Sequence, residues 1–180
     1  MISQKQIVVN FVLFQIGWFS CVLMAAQGLP EVGIVIAMLL VFVQFFLAEN
    51  RKNLFILIAI VTLIGSTWDS VMTSTGILVF EAGMIVSFLA PGWIVTMWLM
   101  FATTLNISFR WLFGRYRLAV LLGAICGPLT YQAGAAMGAV VIPDNLLANT
   151  VIALGWAILM PLYIKFAEIF HVEKIAGAKV

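Results

Sequence analysis

Six long apolar stretches constrain this chain more than any other feature of its sequence. They cover approximately residues 7–26, 32–48, 54–74, 92–111, 118–138 and 147–166. A helix needs about 20 mostly apolar residues to cross the roughly 30 Å hydrocarbon core of a bilayer. Because 64% of the residues are hydrophobic and only 9% are charged, the chain cannot cover a water-facing surface. The sequence therefore predicts an all-α bundle of six transmembrane helices, forming a single domain over residues 1–180.

The basic residues indicate on which side of the membrane each connection lies. If the N-terminus is cytoplasmic and there are six spans, every basic residue falls on the inner side, as the positive-inside rule requires. The outer connections then hold Glu31, Glu81 and Asp144. We therefore predict that both termini are cytoplasmic. The inner basic residues are Lys5, Arg51, Lys52, Arg110, Arg115, Arg117, Lys165, Lys174 and Lys179.

The stretch 77–90 is apolar but too short for a span, and it contains Glu81 and Gly83. A seventh span here would move Arg110, Arg115 and Arg117 to the outer side, against the positive-inside rule. We therefore predict a short re-entrant or interfacial segment near 77–90.

Asp69 is the acidic residue placed deepest in a predicted span. It lies about fifteen residues into the third stretch, so roughly 22 Å from the inner boundary at the helical rise. A carboxylate in hydrocarbon costs several kcal/mol unless it is paired, hydrated or protonated. Two interpretations stay open. Asp69 belongs to a ligand, ion or proton site, or it belongs to a hydrogen-bonded seam in which a tyrosine or tryptophan is its partner.

Other polar and aromatic side chains lie at membrane depth. Tyr131 and Gln132 are at nearly the depth of Asp69, and we predict a pocket lined by these three residues with Trp68 and Trp98. A further set is predicted to form polar helix–helix contacts. That set comprises Asn10, Gln15, Ser66, Ser70, Thr103 and Asn106. The deep indoles Trp18, Trp68, Trp98 and Trp156 suit a pocket wall and core packing equally, whereas Trp93 and Trp111 are predicted to form an aromatic belt.

The catalytic and metal-binding signatures of membrane enzymes are missing from the sequence. His171 is the one histidine, and no Ser/His/Asp set, glycine-rich phosphate loop or cluster of acids accompanies it. We expect no metal or other cofactor, and the balance is against an enzyme without excluding one. No basic patch is dense enough for nucleic acid.

Four segments together resemble a family of small bacterial inner-membrane proteins of unknown function. They are NFVLFQIGWFSC at 10–21, PGWI at 91–94, WLMFATTLN at 98–106 followed by Arg110 and Trp111, and GPLTY at 127–131 with Gly134. The resemblance covers nearly the whole chain, and the part from Trp98 to Trp111 is its most specific. Members are often encoded near cyclopropane-fatty-acyl-synthase-like proteins. The resemblance therefore implies a bacterial inner membrane and a role near lipid modification.

Three functional hypotheses follow. The leading one is a non-catalytic protein that binds a lipid or small amphipathic ligand in an intramembrane pocket, as an accessory to lipid modification. The others are a small-solute transporter, or the substrate-binding subunit of one, and a lipid-modifying enzyme with Asp69 as acid or base. The expected partners are membrane lipids, and other membrane or lipid-modifying proteins and a second copy of the chain are compatible with the sequence.

Overall fold

A computed structural model describes residues 3–171, which form six α-helices. The all-helical prediction is therefore confirmed for this part of the chain. Lys174 and Lys179, used above for the charge asymmetry, lie outside the described residues. The helices are α1 (Gln4–Ala26), α2 (Pro30–Leu47), α3 (Arg51–Ser74), α4 (Gly92–Leu105), α5 (Tyr116–Ala136) and α6 (Asn145–Phe170).

The helix starts follow from local chemistry. Ser3 and Gln6 form a capping box at the start of α1, and Pro30 occupies the first turn of α2. The Asn50 and Asp144 side chains each accept a 3.0 Å hydrogen bond from a backbone N–H in the first turn, at the starts of α3 and α6. Five helices, all except α4, are long and apolar enough to cross a membrane.

The fourth helix differs from its predicted length. The stretch 92–111 was predicted as one span, but α4 ends at Leu105 after 14 residues, which is about 21 Å. A turn and a short 3₁₀ helix, Arg110–Leu112, follow. Because α4 packs against α1, α2 and α3, its ends are surrounded by protein. Irregular backbone at membrane depth is tolerated where protein rather than lipid surrounds it.

The segment 77–90 contains no helix and pairs with the connection between α5 and α6. Val79 and Val141 exchange two backbone hydrogen bonds of 2.9 and 2.8 Å in an antiparallel bridge. Leu78 and Phe80 on either side of this bridge are buried. The two connections therefore form one cap over the ends of α3, α4, α5 and α6.

The opposite end of the bundle is closed by Glu168 on α6. Its carboxylate accepts hydrogen bonds from the Gly114 backbone N–H and the Tyr116 hydroxyl. Gly114 has φ of 71°, a left-handed conformation that glycine adopts without strain. The Asn53 side chain also donates to the carbonyl of Phe170 over 2.9 Å, which ties α3 to the end of α6.

Candidate functional site

Asp69 is the polar centre of the bundle. Its side chain is 1% exposed on α3 and accepts two hydrogen bonds from neighbouring helices. The Trp98 indole N–H on α4 donates to Oδ2 over 2.6 Å, and the Tyr131 hydroxyl on α5 donates to Oδ1 over 2.5 Å. Because α5 packs mainly against α6, the Tyr131 bond is a direct polar link between α3 and α5. One carboxylate therefore joins three helices.

Glycines on adjacent helices contact three tryptophan rings, of which Trp98 and Trp156 lie at the same cavity as Asp69. A Cβ atom at Gly65 would lie 2.1 Å from the Trp98 ring, and one at Gly155 would lie 2.2 Å from the Trp68 ring. A Cβ at Gly127 would lie 2.5 Å from Trp156. Each ring therefore rests directly on a helix backbone, which only a residue without a side chain permits.

Trp98 is also stacked on Trp156 of α6. The two ring centroids are 5.3 Å apart with an interplanar angle of 18°. Phe101 and Tyr163 contact Trp98 edge-on, with centroids 5.8 and 5.7 Å away. The hydrogen bond to Asp69 and these ring contacts fix the orientation of the Trp98 indole.

A cavity of about 80 Å³ lies beside Asp69. Residues of α1, α4 and α5 form its walls, and Phe80 and Val140 from the two paired connections close one end. Thr130 on α5 lines the cavity and is exposed, so the cavity reaches the surface of the bundle there. The remaining lining residues are Phe14, Trp18, Val22, Trp93, Ile94, Met97, Trp98, Phe101, Tyr131, Gly134 and Trp156.

Three of the five residues predicted to line the pocket meet at this cavity, namely Asp69, Trp98 and Tyr131. The other two lie elsewhere. Trp68 packs on Gly155, and its indole N–H is buried without a hydrogen-bond partner. The Gln132 amide donates to the side chains of Asn145 and Asn149 on α6, over 3.0 and 3.1 Å.

Asn10, one of the residues predicted to make polar helix contacts, joins α1 to two other helices. Its amide nitrogen donates to the side-chain oxygen of Gln44 on α2 and, over 3.2 Å, to the carbonyl of Thr103 on α4. Its amide oxygen accepts from the Ser108 hydroxyl over 2.5 Å. The Thr103 hydroxyl donates within its own helix to the carbonyl of Met100.

The other residues predicted to make polar helix–helix contacts have different hydrogen-bond partners and exposure. Ser70 accepts a 3.0 Å hydrogen bond from the backbone N–H of Ala90, which ties α3 to the segment before α4. The Ser66 hydroxyl and the Asn106 side-chain oxygen are buried without a partner. Gln15 is half-buried and lines a shallow surface groove with other residues of α1 and Ile36 of α2.

Part of the cavity wall was not predicted from the sequence. Trp93 was assigned to an aromatic belt, but it is 2% exposed, and its indole N–H donates to the carbonyl of Ala82 over 3.1 Å. Phe80 and Val140 lie in connections whose pairing has no sequence signature. Phe14, Trp18 and Val22 recur every four residues on α1, so their shared face was a signal that could have found them.

The sequence of residues 7–162 matches the model of a family described as "Protein of unknown function (DUF2878)". The chain belongs to the DUF2878 family. This confirms that the resemblance seen in the sequence concerns a family of unknown function. No curated protein and no solved structure matches the chain significantly.

The polar chemistry at this DUF2878 site comes from one carboxyl group beside an aromatic wall. Within residues 3–171, no group of three His, Cys, Asp or Glu side chains is placed to hold a metal ion. Asp69 accepts hydrogen bonds from two neutral donors, and the rest of the cavity wall is mainly apolar and aromatic. Such a site accommodates an apolar molecule that carries one polar or charged group.

Proposed function

We propose that this chain is a multi-pass membrane protein that binds a lipid or small amphipathic molecule in the cavity beside Asp69. The observation that carries the proposal is a buried carboxylate facing an aromatic cavity that reaches the lipid-facing surface at Thr130. An accessory role in membrane-lipid modification follows from the family resemblance described above.

The alternative of a purely structural seam accounts for the two hydrogen bonds but not for the space next to them. Protein interiors are close-packed, with few voids larger than a water molecule. A volume of about 80 Å³ is several times the 10–15 Å³ that one water requires. A polar group at one end and aromatic walls around the rest are typical of ligand pockets.

We also propose that the protein lies in a bacterial inner membrane with both termini cytoplasmic. The support is the basic residues at one end of the bundle, such as Lys52, Arg115 and Lys165, against Glu81 and Asp144 near the other. With Cys126 replaced by serine, a cysteine at Ser87 is expected to react with an impermeant maleimide added outside intact cells. A cysteine at Glu49, which is exposed in the connection between α2 and α3, is expected to react only after the membrane is permeabilised, and the reverse pattern would contradict this orientation.

A large side chain placed at the cavity opening tests whether the cavity binds a ligand. Thr130→Trp places a large ring at the cavity opening, whereas Thr150→Trp places the same ring on an exposed face of α6. The two positions are matched, because both hydroxyls donate to the carbonyl four residues earlier, over 2.8 Å. Native mass spectrometry of gently purified protein is expected to show a bound species of defined mass in the wild type and in Thr150→Trp. That species is expected to fall at least about ten-fold in Thr130→Trp.

Two outcomes would argue against binding. A wild-type protein that is folded and carries no bound species would favour the structural seam. A bound species equally abundant in Thr130→Trp would place the ligand at another surface.

A further inference from the structure

Building on the binding function proposed above, we propose that the molecule held beside Asp69 is an organic cation, an ammonium group with apolar substituents. The inference rests on two independent features of the cavity. One is the buried carboxyl group of Asp69, whose hydrogen-bond donors are neutral, and the other is the aromatic character of the surrounding wall.

Within residues 3–171, the Asp69 carboxylate has no counter-charge from a lysine or arginine side chain. Its two hydrogen bonds come from an indole and a phenol, which are both neutral. An isolated charge in a low-dielectric interior is costly unless a partner offsets it. A positively charged ligand would be that partner.

The cavity wall is suited to an ammonium ion. Eight of its fifteen lining residues are aromatic, including Trp18 and Trp93. Trp98 and Trp156 are stacked on each other, so the face that each turns to the other is not open to a cation. The faces of aromatic rings attract cations, tryptophan most strongly, and cages of such rings bind quaternary ammonium groups. The side chains favour an organic cation over calcium or magnesium, because Asp69, Thr130 and Tyr131 are the lining residues with side-chain oxygens. Calcium takes six to eight oxygen ligands, and magnesium prefers six.

Choline and its uncharged isostere 3,3-dimethylbutan-1-ol have nearly the same shape. A difference between their affinities therefore reports the effect of the positive charge. Both carry nine equivalent methyl protons, so saturation-transfer NMR reports binding of either molecule to the full-length protein in lipid nanodiscs. We expect the wild type to bind choline at least about ten-fold more tightly than the alcohol. In Asp69→Asn this preference is expected to fall below about three-fold. The matched control is Asp144→Asn at the start of α6, since asparagine caps a helix as well as aspartate does, and its preference is expected to match the wild type.

A second variant keeps the inference testable if Asp69→Asn does not fold. Trp18→Leu removes one indole from the cavity wall and keeps Asp69, so the preference for choline over the alcohol is expected to fall by at least about three-fold. An unchanged preference there would overturn the inference, as would an Asp69→Asn protein that still prefers choline.

Failure of this inference is distinguishable from failure of the binding function. Equal affinities for the two isosteres are expected if a proton neutralises Asp69. This result would overturn the proposal of a cationic ligand, but it would not contradict the binding pocket. If neither isostere binds, the proposal of a cationic ligand is also overturned. The proposed binding function is contradicted only if native mass spectrometry of the wild type and Thr130→Trp shows that no ligand occupies the cavity.

Discussion

Gly65→Ala is expected to destabilise the protein by about 3–5 kcal/mol, because overpacking combines with the loss of a hydrogen bond to a carboxyl group. The added Cβ would lie 2.1–2.4 Å from three atoms of the Trp98 ring, so the ring has to move. Movement breaks the 2.6 Å bond to Asp69 and disturbs the stacking on Trp156. The gain of about 0.5–1 kcal/mol from replacing a helical glycine by alanine is much smaller. Unfolding in mixed micelles of increasing SDS content, followed by circular dichroism, measures the difference.

Gly92→Ala is the matched control for this substitution. Gly92 begins α4, the helix that carries Trp98, and a Cβ there would lie 3.4 Å from the nearest atom, Cδ1 of Ile34. This is ordinary van der Waals contact, so we expect a change below about 1 kcal/mol. Equal stability of the Gly65→Ala and Gly92→Ala proteins would contradict the close packing of Trp98 on α3.

Tyr131→Phe is expected to lower the free energy of unfolding by about 1.5–3 kcal/mol, the usual contribution of a hydrogen bond to a charged group. The substitution removes a single oxygen atom, and that oxygen donates to the buried carboxylate over 2.5 Å. The loss leaves Oδ1 of Asp69 without a protein donor and removes the polar link from α3 to α5. The same SDS titration measures this effect.

Tyr163→Phe provides a control of identical chemistry. Tyr163 is fully buried on α6, near Trp98, but its hydroxyl has no hydrogen-bond partner. Removing an unpaired polar atom from the interior relieves a desolvation penalty, so we expect a neutral or slightly stabilising effect. Similar losses in Tyr131→Phe and Tyr163→Phe would mean that the loss reflects ring packing rather than the bond to Asp69.

The helices and the need of Asp69 for hydrogen-bond partners were predictable because both depend on local patterns. Long apolar runs specify helices directly, and five of the six predicted spans correspond to helices long enough to cross a membrane. A carboxylate within such a run requires partners wherever it lies in the bundle. The alternatives named for its partner, a tyrosine or a tryptophan, are both present, as Tyr131 and Trp98.

The remainder of the site depends on the rotation of each helix and on the connections, which no local pattern specifies. Trp68 and Asp69 are adjacent in sequence, and successive helical residues point about 100° apart. Only the packing of α3 decides that Asp69 faces the cavity while Trp68 faces Gly155. The early end of α4 was also hidden, because residues 106–111 contain no proline or glycine that would mark the end of a helix.

The Asp69 carboxylate and the Tyr131 hydroxyl interact directly inside the bundle. A double-mutant cycle combining Asp69→Asn with Tyr131→Phe measures that interaction through the free energies of unfolding of four proteins. We predict a coupling energy of about 1–2 kcal/mol, since each substitution alone weakens the same bond. Effects that add to within about 0.3 kcal/mol would show that the two side chains are energetically independent, and the proposed polar centre of the cavity would be contradicted.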